Sequence, residues 1–149
     1  MVLFKKKEFF NEEQQNRIVE AIRQGELLTS GEIRVFVESK CRFVDPLHRS
    51  MEVFASLNMQ KTRHRNAVLL YIALRDKQFA IYGDEAIHQK VGDDFWTSQA
   101  RHLKEFFKEG KVVEGIAHCV KEIGGSLQKF FPHESDGENE LPDNIVFGK

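Results

Sequence analysis

An unbroken apolar run at residues 67–74, Ala-Val-Leu-Leu-Tyr-Ile-Ala-Leu, constrains the fold of this chain more than any other feature. The run has the length of a β-strand, and it is too short for a typical buried helix. A strand that is apolar on both faces must be covered on both faces, which is typical of a sheet lying between helices. The run therefore predicts the central strand of an α/β domain.

Local signals place the other elements before and after this strand. Asn11 and Gln14 have the spacing of a capping box, so a helix is expected from there to about residue 28. Residues 32–38 alternate apolar and polar side chains, as a strand does. The pair Asp45-Pro46 is a typical helix start.

A hairpin and two helices complete the predicted order. Residues 78–82 follow the central strand after a tight polar turn, which indicates an antiparallel hairpin. Apolar side chains then recur at helical spacing from Asp93 and again after Gly110. The fold class is therefore α/β, with a small mixed sheet covered by helices. The order is helix, strand, helix, strand, strand, helix, helix, and the strand–helix–strand unit implies a parallel, right-handed crossover.

The chain is expected to form one domain followed by a tail. A length of 149 residues suits a single domain, which we place at residues 1–131. After Pro132 the composition becomes acidic and glycine-containing, and the apolar period disappears. Residues 132–149 are therefore predicted to be a flexible acidic tail.

Charge and composition exclude several function classes. The net charge is −1, so no basic field is available to attract nucleic acid. No segment approaches the roughly 20 apolar residues of a membrane span, and the N-terminus lacks the apolar stretch of a signal peptide. The two cysteines have no metal-binding spacing. We predict a cytoplasmic protein without a membrane segment, and we expect a monomer.

The predicted topology brings three loops to one edge of the sheet. The first two strands are parallel and the hairpin returns the third, so Glu32, Asn66 and Asp84 should meet where the parallel strands begin. Glu85, Asp93 and Asp94 are close enough in sequence to complete a shell of ligands at the same edge. Carboxylate and amide oxygens suit a hard cation such as Ca²⁺ or Mg²⁺.

The same residues also have an ordinary structural interpretation. Glu32 can simply begin a strand at the surface, and Asp84 and Asp93 can cap helices. On residue pattern alone we prefer these roles. The chain also contains no phosphate-binding glycine loop, nucleophile elbow or metalloprotease helix.

At these loops the sequence resembles the TPM domain family, also called the TPM phosphatase family. The resemblance extends over roughly residues 8–131. Its matching segments are Thr-Ser-Gly-Glu-Ile-Arg-Val at 29–35, Arg-Asn-Ala-Val-Leu-Leu-Tyr-Ile-Ala at 65–73, and Phe-Ala-Ile-Tyr-Gly-Asp-Glu-Ala-Ile at 79–87. The family includes a plant thylakoid-lumen protein linked to photosystem II repair and many bacterial proteins.

The resemblance implies a mixed sheet between helices and a site at Glu32, Asn66, Asp84 and Glu85. It also implies divalent-cation binding, as in some bacterial members, and acid phosphatase activity, as in the plant member. Two hypotheses follow. One is an accessory domain that binds Ca²⁺ or Mg²⁺ and contacts a protein partner. The alternative is a weak metal-dependent phosphatase that hydrolyses small phosphate esters.

Overall fold

The computed structural model describes residues 9–42, 45–134 and 140–148. Asn11 caps the first helix through the expected reciprocal bonds with Gln14, and Asp45 caps the second. The elements are α1 (Glu12–Glu26), β1 (Glu32–Glu38), α2 (Pro46–Ser56), β2 (Ala67–Ala73), β3 (Gln78–Gly83), α3 (Glu85–Lys90), α4 (Asp93–Lys108), α5 (Val112–Leu127) and β4 (Val146–Phe147).

The four strands form one mixed sheet in the order β3-β2-β1-β4. Strand β2 runs parallel to β1 with Glu32 opposite Ala67, and antiparallel to β3 with Val68 opposite Gly83. The predicted fold class is confirmed, including the hairpin and the parallel pair. This register places the start of β1, the start of β2 and the end of β3 at the same edge.

Helices cover both faces of the sheet. Strand β2 is buried along its whole length, as its apolar run predicts, and β1 is buried throughout as well. Alternate residues of these strands, such as Val35 and Leu70, pack with α1 and α5 in the larger hydrophobic cluster. Their neighbours, such as Phe36 and Tyr71, pack with α2 in the smaller one.

Helix α5 is the helix most deeply buried in the larger cluster. Its apolar stripe includes Cys119, which is buried and free, as expected of a small core residue. Gly124 of α5 crosses Gly25 of α1 so closely that their backbones are in contact. Within the described ranges, none of the helices is both long and apolar enough to cross a membrane.

The C-terminal residues differ from the flexible tail predicted for 132–149. Val146 and Phe147 pair in parallel with Phe36 and Val37 of β1. Leu141 and Ile145 are buried in the smaller and the larger cluster, respectively. The prediction is therefore wrong for residues 140–148, because a two-residue strand is too short to produce an apolar period. Residues 135–139 and 149 lie outside the described residues.

Candidate cation site at the sheet edge

The predicted meeting of three loops at one sheet edge is present in the structure. Glu32 begins β1, Asn66 precedes β2, and Asp84 follows β3. The backbone N–H of Asp84 donates to the carbonyl of Ala67 at 2.9 Å, which ties the third loop to the second. The three side chains nevertheless belong to two separate groups, which differ in charge.

Arg65 supplies the positive charge in the group around Asp84. Its Nε and one terminal nitrogen each donate to an Asp84 carboxylate oxygen at 2.8 Å, and its other terminal nitrogen lies 3.2 Å from Glu85. Asp84 also caps α3 by accepting from the backbone N–H of Glu85 at 2.7 Å. Asp84 therefore has the capping role expected of its position, and its own charge is neutralised by the Arg65 guanidinium.

The predicted set also includes two aspartates at the start of α4. Asp94 is exposed near the start of α4, and among the described residues no hydrogen bond or ion pair connects it to Glu32, Asn66 or Asp84. Asp93 is the first residue of α4, and the prediction for its side chain lies outside what the structure describes.

Glu32 belongs to a second group that contains residues absent from the predicted set. It is only 4% exposed, and one of its carboxylate oxygens accepts backbone N–H groups from Glu140 and Leu141. Glu26, at the end of α1, accepts the N–H of Ile33 at 2.8 Å, and its carboxyl group lines the same cavity as those of Glu32 and Asp143. We call Glu26, Glu32 and Asp143 the acidic triad.

Two carboxyl groups of the acidic triad have raised pKa values, and the triad has two arginine neighbours. Burial, reinforced by the hydrogen bond to Asp143, raises the pKa of Glu26 from 4.5 to about 10, and burial also raises the pKa of Glu32. Among the described residues, Arg23 lies 3.9 Å from Asp143, and Arg34 is a buried neighbour whose own pKa is lowered by burial. With a pKa of about 10, the Glu26 carboxyl group carries a proton at neutral pH.

The raised pKa of Glu26 predicts an unusual pH dependence of stability. The folded chain binds more protons than the unfolded chain between the two pKa values of Glu26, so its contribution to stability falls as pH rises through this range. In metal-free buffer, wild type should lose stability relative to Glu26→Gln as pH rises from about 5 to about 9, by at most about 1.4 kcal/mol per pH unit. Urea denaturation at each pH measures this difference.

The control for that titration is Glu109→Gln, which removes an exposed carboxylate after α4, away from the cavity. Its stability should remain parallel to that of wild type across the pH range. A Glu26→Gln curve that also stays parallel to wild type would show that Glu26 is ionised in the folded protein.

A cavity of about 470 Å³ opens beside the triad. Asn66 is wholly buried behind the cavity wall, and its Nδ2 donates to Ser30 at 3.2 Å. Its Oδ1 has no hydrogen-bond partner among the described residues. The residues that line the cavity are Glu20, Arg23, Glu26, Leu27, Thr29, Ser30, Glu32, Arg63, His64, His133, Glu134, Glu140 and Asp143.

The oxygen-rich donor set matches the chemistry of Ca²⁺ and Mg²⁺ better at the triad than at Asp84. At the triad, three carboxyl groups line one cavity, whereas Arg65 already neutralises Asp84. The structure does not present a preformed cage: in residues 9–42, 45–134 and 140–148, no three His, Cys, Asp or Glu side chains are arranged to hold a metal ion. An ion would have to replace the proton of Glu26 and draw the carboxylates around itself.

Known proteins resemble this chain in sequence and in fold. The model of the TPM domain, from the TPM phosphatase family, matches residues 3–126. The chain belongs to the TPM domain family. The NMR structure of the BA42 protein from the psychrophilic bacterium Bizionia argentinensis is 41% identical in sequence. It has a TM-score of 0.89, covering 97% of this chain and 99% of that one.

A more distant TPM-fold structure shares only the fold. The N-terminal domain of the cg2496 protein from Corynebacterium glutamicum is 13% identical, with a TM-score of 0.63 over 98% of this chain and 93% of that one. Among curated proteins, none matches the chain. Family membership and fold are therefore established, and the activity has to be argued from the site.

Two members of the triad were missed by sequence reasoning. Glu26 carried a weak signal, because an acidic residue in the last turn of a helix faces the negative end of the helix dipole. No sequence signal pointed to Asp143, because it lies in a segment whose docking depends on contacts with residues far away in the chain. Of the predicted ligands, only Glu32 belongs to the triad, and Asn66 lies next to the cavity wall.

Proposed function

We propose that this TPM domain binds a divalent cation at the acidic triad and acts as an accessory or interaction protein. The observation that carries the proposal is the convergence of three carboxyl groups, from Glu26, Glu32 and Asp143, on one cavity, where Glu32 is buried and Glu26 is fixed by the N–H of Ile33. Crowded carboxyl groups are a favourable place for a cation, because a divalent ion neutralises more charge than a single proton does.

Neutral oxygens near the triad support the proposal. Hard cations are coordinated by carboxylate oxygens together with carbonyl, amide and water oxygens. Asn66 has an amide oxygen without a partner among the described residues, and it is joined to the cavity wall through Ser30. The proposed ligands are therefore the carboxylates of the triad, with Ser30 and Asn66 as the nearest neutral donors.

The proposed binding is weak. The ion must displace a proton and reorganise carboxylates that now accept backbone N–H groups, and both requirements reduce affinity. A dissociation constant of roughly 10⁻⁴–10⁻³ M, as in extracellular calcium modules, is the expected range. In a cytoplasm, which remains our proposed location, free Mg²⁺ would compete with Ca²⁺ for such a site.

The alternative function, a weak metal-dependent phosphatase, has less support. The cavity contains Arg63 and His64, which could approach a phosphate, but His64 is paired with Glu134 at 2.7 Å. Six acidic residues line the same cavity against two arginines, so its field repels an anionic substrate. Hydrolysis of p-nitrophenyl phosphate at the roughly 1–1,000 per second of dedicated enzymes would favour the phosphatase instead.

Thermal melts with and without millimolar Ca²⁺ or Mg²⁺ test the proposed site. A ligand at a hundredfold excess over its dissociation constant stabilises the folded state by about 2.7 kcal/mol. For a chain of this size, the melting temperature of wild type should rise by about 5–10 °C at that excess. The variant Glu32→Gln with Asp143→Asn should show no rise, because two of the three charged ligands are gone.

Two further variants locate the ion. Asp84→Asn should keep the full response, since Asp84 is engaged by Arg65, and Glu122→Gln removes an exposed carboxylate on α5 as the control. If the rise in melting temperature were lost in Asp84→Asn but kept in the Glu32 and Asp143 double variant, the ion would bind beside Arg65 and not at the triad. Equal responses in all variants would refute a specific site.

A further inference from the structure

Strand β3 forms the outer edge of the sheet on the side away from β4, and half of its backbone groups point away from the sheet. The N–H of Asp84 donates to the carbonyl of Ala67, so every second residue before Asp84 also faces β2 in the antiparallel ladder. The N–H and C=O groups of the residues between them point outward, and these residues are Phe79, Ile81 and Gly83. Among the described residues, no backbone bond from another element reaches these outward groups.

This open edge lacks the features that usually protect an edge strand from pairing. Edge strands are commonly blocked by lysine, by proline or by another charged side chain. Strand β3, with the sequence Gln-Phe-Ala-Ile-Tyr-Gly, has no charged residue and no proline. Phe79 and Ile81 are only partly buried, and the partly buried Trp96 lies over Gly83 on the same face. An apolar, half-exposed edge of this kind is suited to pairing with another strand.

We propose that the open edge of β3 pairs with β3 of a second copy of this chain, antiparallel and about a two-fold axis at Ile81. Outward-facing residues must then pair with outward-facing residues, so Ile81 lies opposite Ile81 of the partner subunit and Phe79 lies opposite Gly83 of the partner subunit. The inference does not depend on the cation site. It departs from the monomer expected from the sequence, because the residues of β3 do not reveal by themselves that the strand lies at an edge.

The side chains of β3 are complementary in size to a reversed copy of the same strand. In the proposed register, the large ring of Phe79 lies opposite a glycine, and it fills the space that the missing side chain leaves. The same pairing brings Phe79 towards Trp96 of the partner subunit, since Trp96 lies over Gly83. Aromatic side chains are enriched in protein interfaces, so this contact favours association.

The charges at the two ends of β3 favour a second copy as the occupant. Lys77 precedes the strand and is exposed, and Glu85 follows it, 61% exposed beside Arg65. In the proposed register, Lys77 lies level with Glu85 of the partner subunit, and the two-fold axis repeats this pair at the other end. A shift of the axis by one residue towards the start of β3 would instead place Asp76 level with Asp84 of the partner subunit. Charge complementarity of this kind fixes both the partner and the register.

Sedimentation velocity of the full chain in chelator and at low salt, across roughly 1 µM to 1 mM, tests for the dimer. A single pair of strands makes a small interface, and small interfaces belong to weak complexes, so dimer should accumulate towards the upper end of this range. Lys77→Glu should raise the concentration needed for half-dimerisation by about tenfold, because two pairs of like charge replace two pairs of opposite charge.

Exchanging the two charges makes the measurement specific. Glu85→Lys alone should weaken the dimer as Lys77→Glu does, and the double variant should restore it, because opposite charges face each other again. Lys121→Glu, an exposed change in the groove between α1 and α5, should dimerise as wild type does. If both single variants weaken the dimer and the double variant does not recover it, the proposed pairing is overturned.

Amide hydrogen exchange distinguishes pairing at this edge from any other association. The N–H groups of Phe79 and Ile81 should exchange more slowly as the protein concentration rises. Those of Ala80 and Tyr82, which face β2, should change no more than global stability does. A dimer that leaves Phe79 and Ile81 unprotected overturns the inference. A wild type that stays monomeric at every concentration also overturns it, and leaves the open edge to an extended segment of another protein.

Discussion

Replacing Leu70 with alanine should lower the free energy of unfolding by about 2–5 kcal/mol. Leu70 has no exposed surface, and it packs in the larger cluster between β1 and β3, opposite Val35 and Ile81. Removing three carbon atoms there loses their burial and leaves a cavity that surrounding strands fill only partly. A fall in the urea denaturation midpoint at unchanged slope measures the effect.

The control for Leu70 is Leu27→Ala at the end of α1, where the same atoms are removed from a side chain that is 66% exposed. It should change stability by no more than about 0.5 kcal/mol. Since a domain has roughly 5–15 kcal/mol of stability, the two variants should be easy to distinguish. Similar midpoints for both would mean that β2 is not the centre of the sheet.

Replacing Gly124 with alanine should destabilise the protein by about 1–3 kcal/mol or more, the usual range for overpacking. A Cβ atom at Gly124 would lie 2.5 Å from the carbonyl oxygen of Gly25 and 2.6 Å from its Cα. These are backbone atoms, which cannot rotate away, so α1 and α5 would have to separate. Thermal or urea unfolding of the variant measures the loss.

The neighbouring Gly125 is a matched control in the same helix. Nothing lies within 4 Å of a Cβ atom placed there, and alanine is a better helix former than glycine by roughly 0.5–1 kcal/mol. Gly125→Ala should therefore be neutral or slightly stabilising. Destabilisation of equal size in both variants would show that the close crossing of the helices is not the cause.

The Gly124 variant also bears on the candidate site. Gly25, the residue in contact with Gly124, directly precedes Glu26 of the acidic triad. Moving α1 away from α5 would displace the Glu26 carboxyl from Ile33 and Asp143. We therefore expect Gly124→Ala to weaken any response to cations as well as to lower stability, whereas Gly125→Ala should keep the response.

The amino-acid sequence by itself determined the four longer helices, the first three strands and the edge at which the predicted residues lie. Caps such as Asn11 and Asp45 and the apolar run of β2 act through neighbours in the chain, so their pattern can be interpreted without a structure. The direction in which the chain leaves each strand then determines which strand pairs are parallel and which are antiparallel. For this reason Glu32, Asn66 and Asp84 could be placed at one edge in advance.

Only the tertiary structure decided how the charges at this edge are paired and what the C-terminal residues do. Whether Asp84 takes Arg65 as its partner depends on the conformation of a turn in which Arg65 has a φ of 51°. Glu26 and Asp143 line the same cavity because α1 ends beside β1 and residues 140–148 cross the same edge. These contacts join residues far apart in the chain, and their energy comes from burial and charge at close range, which leave no periodic pattern in the sequence.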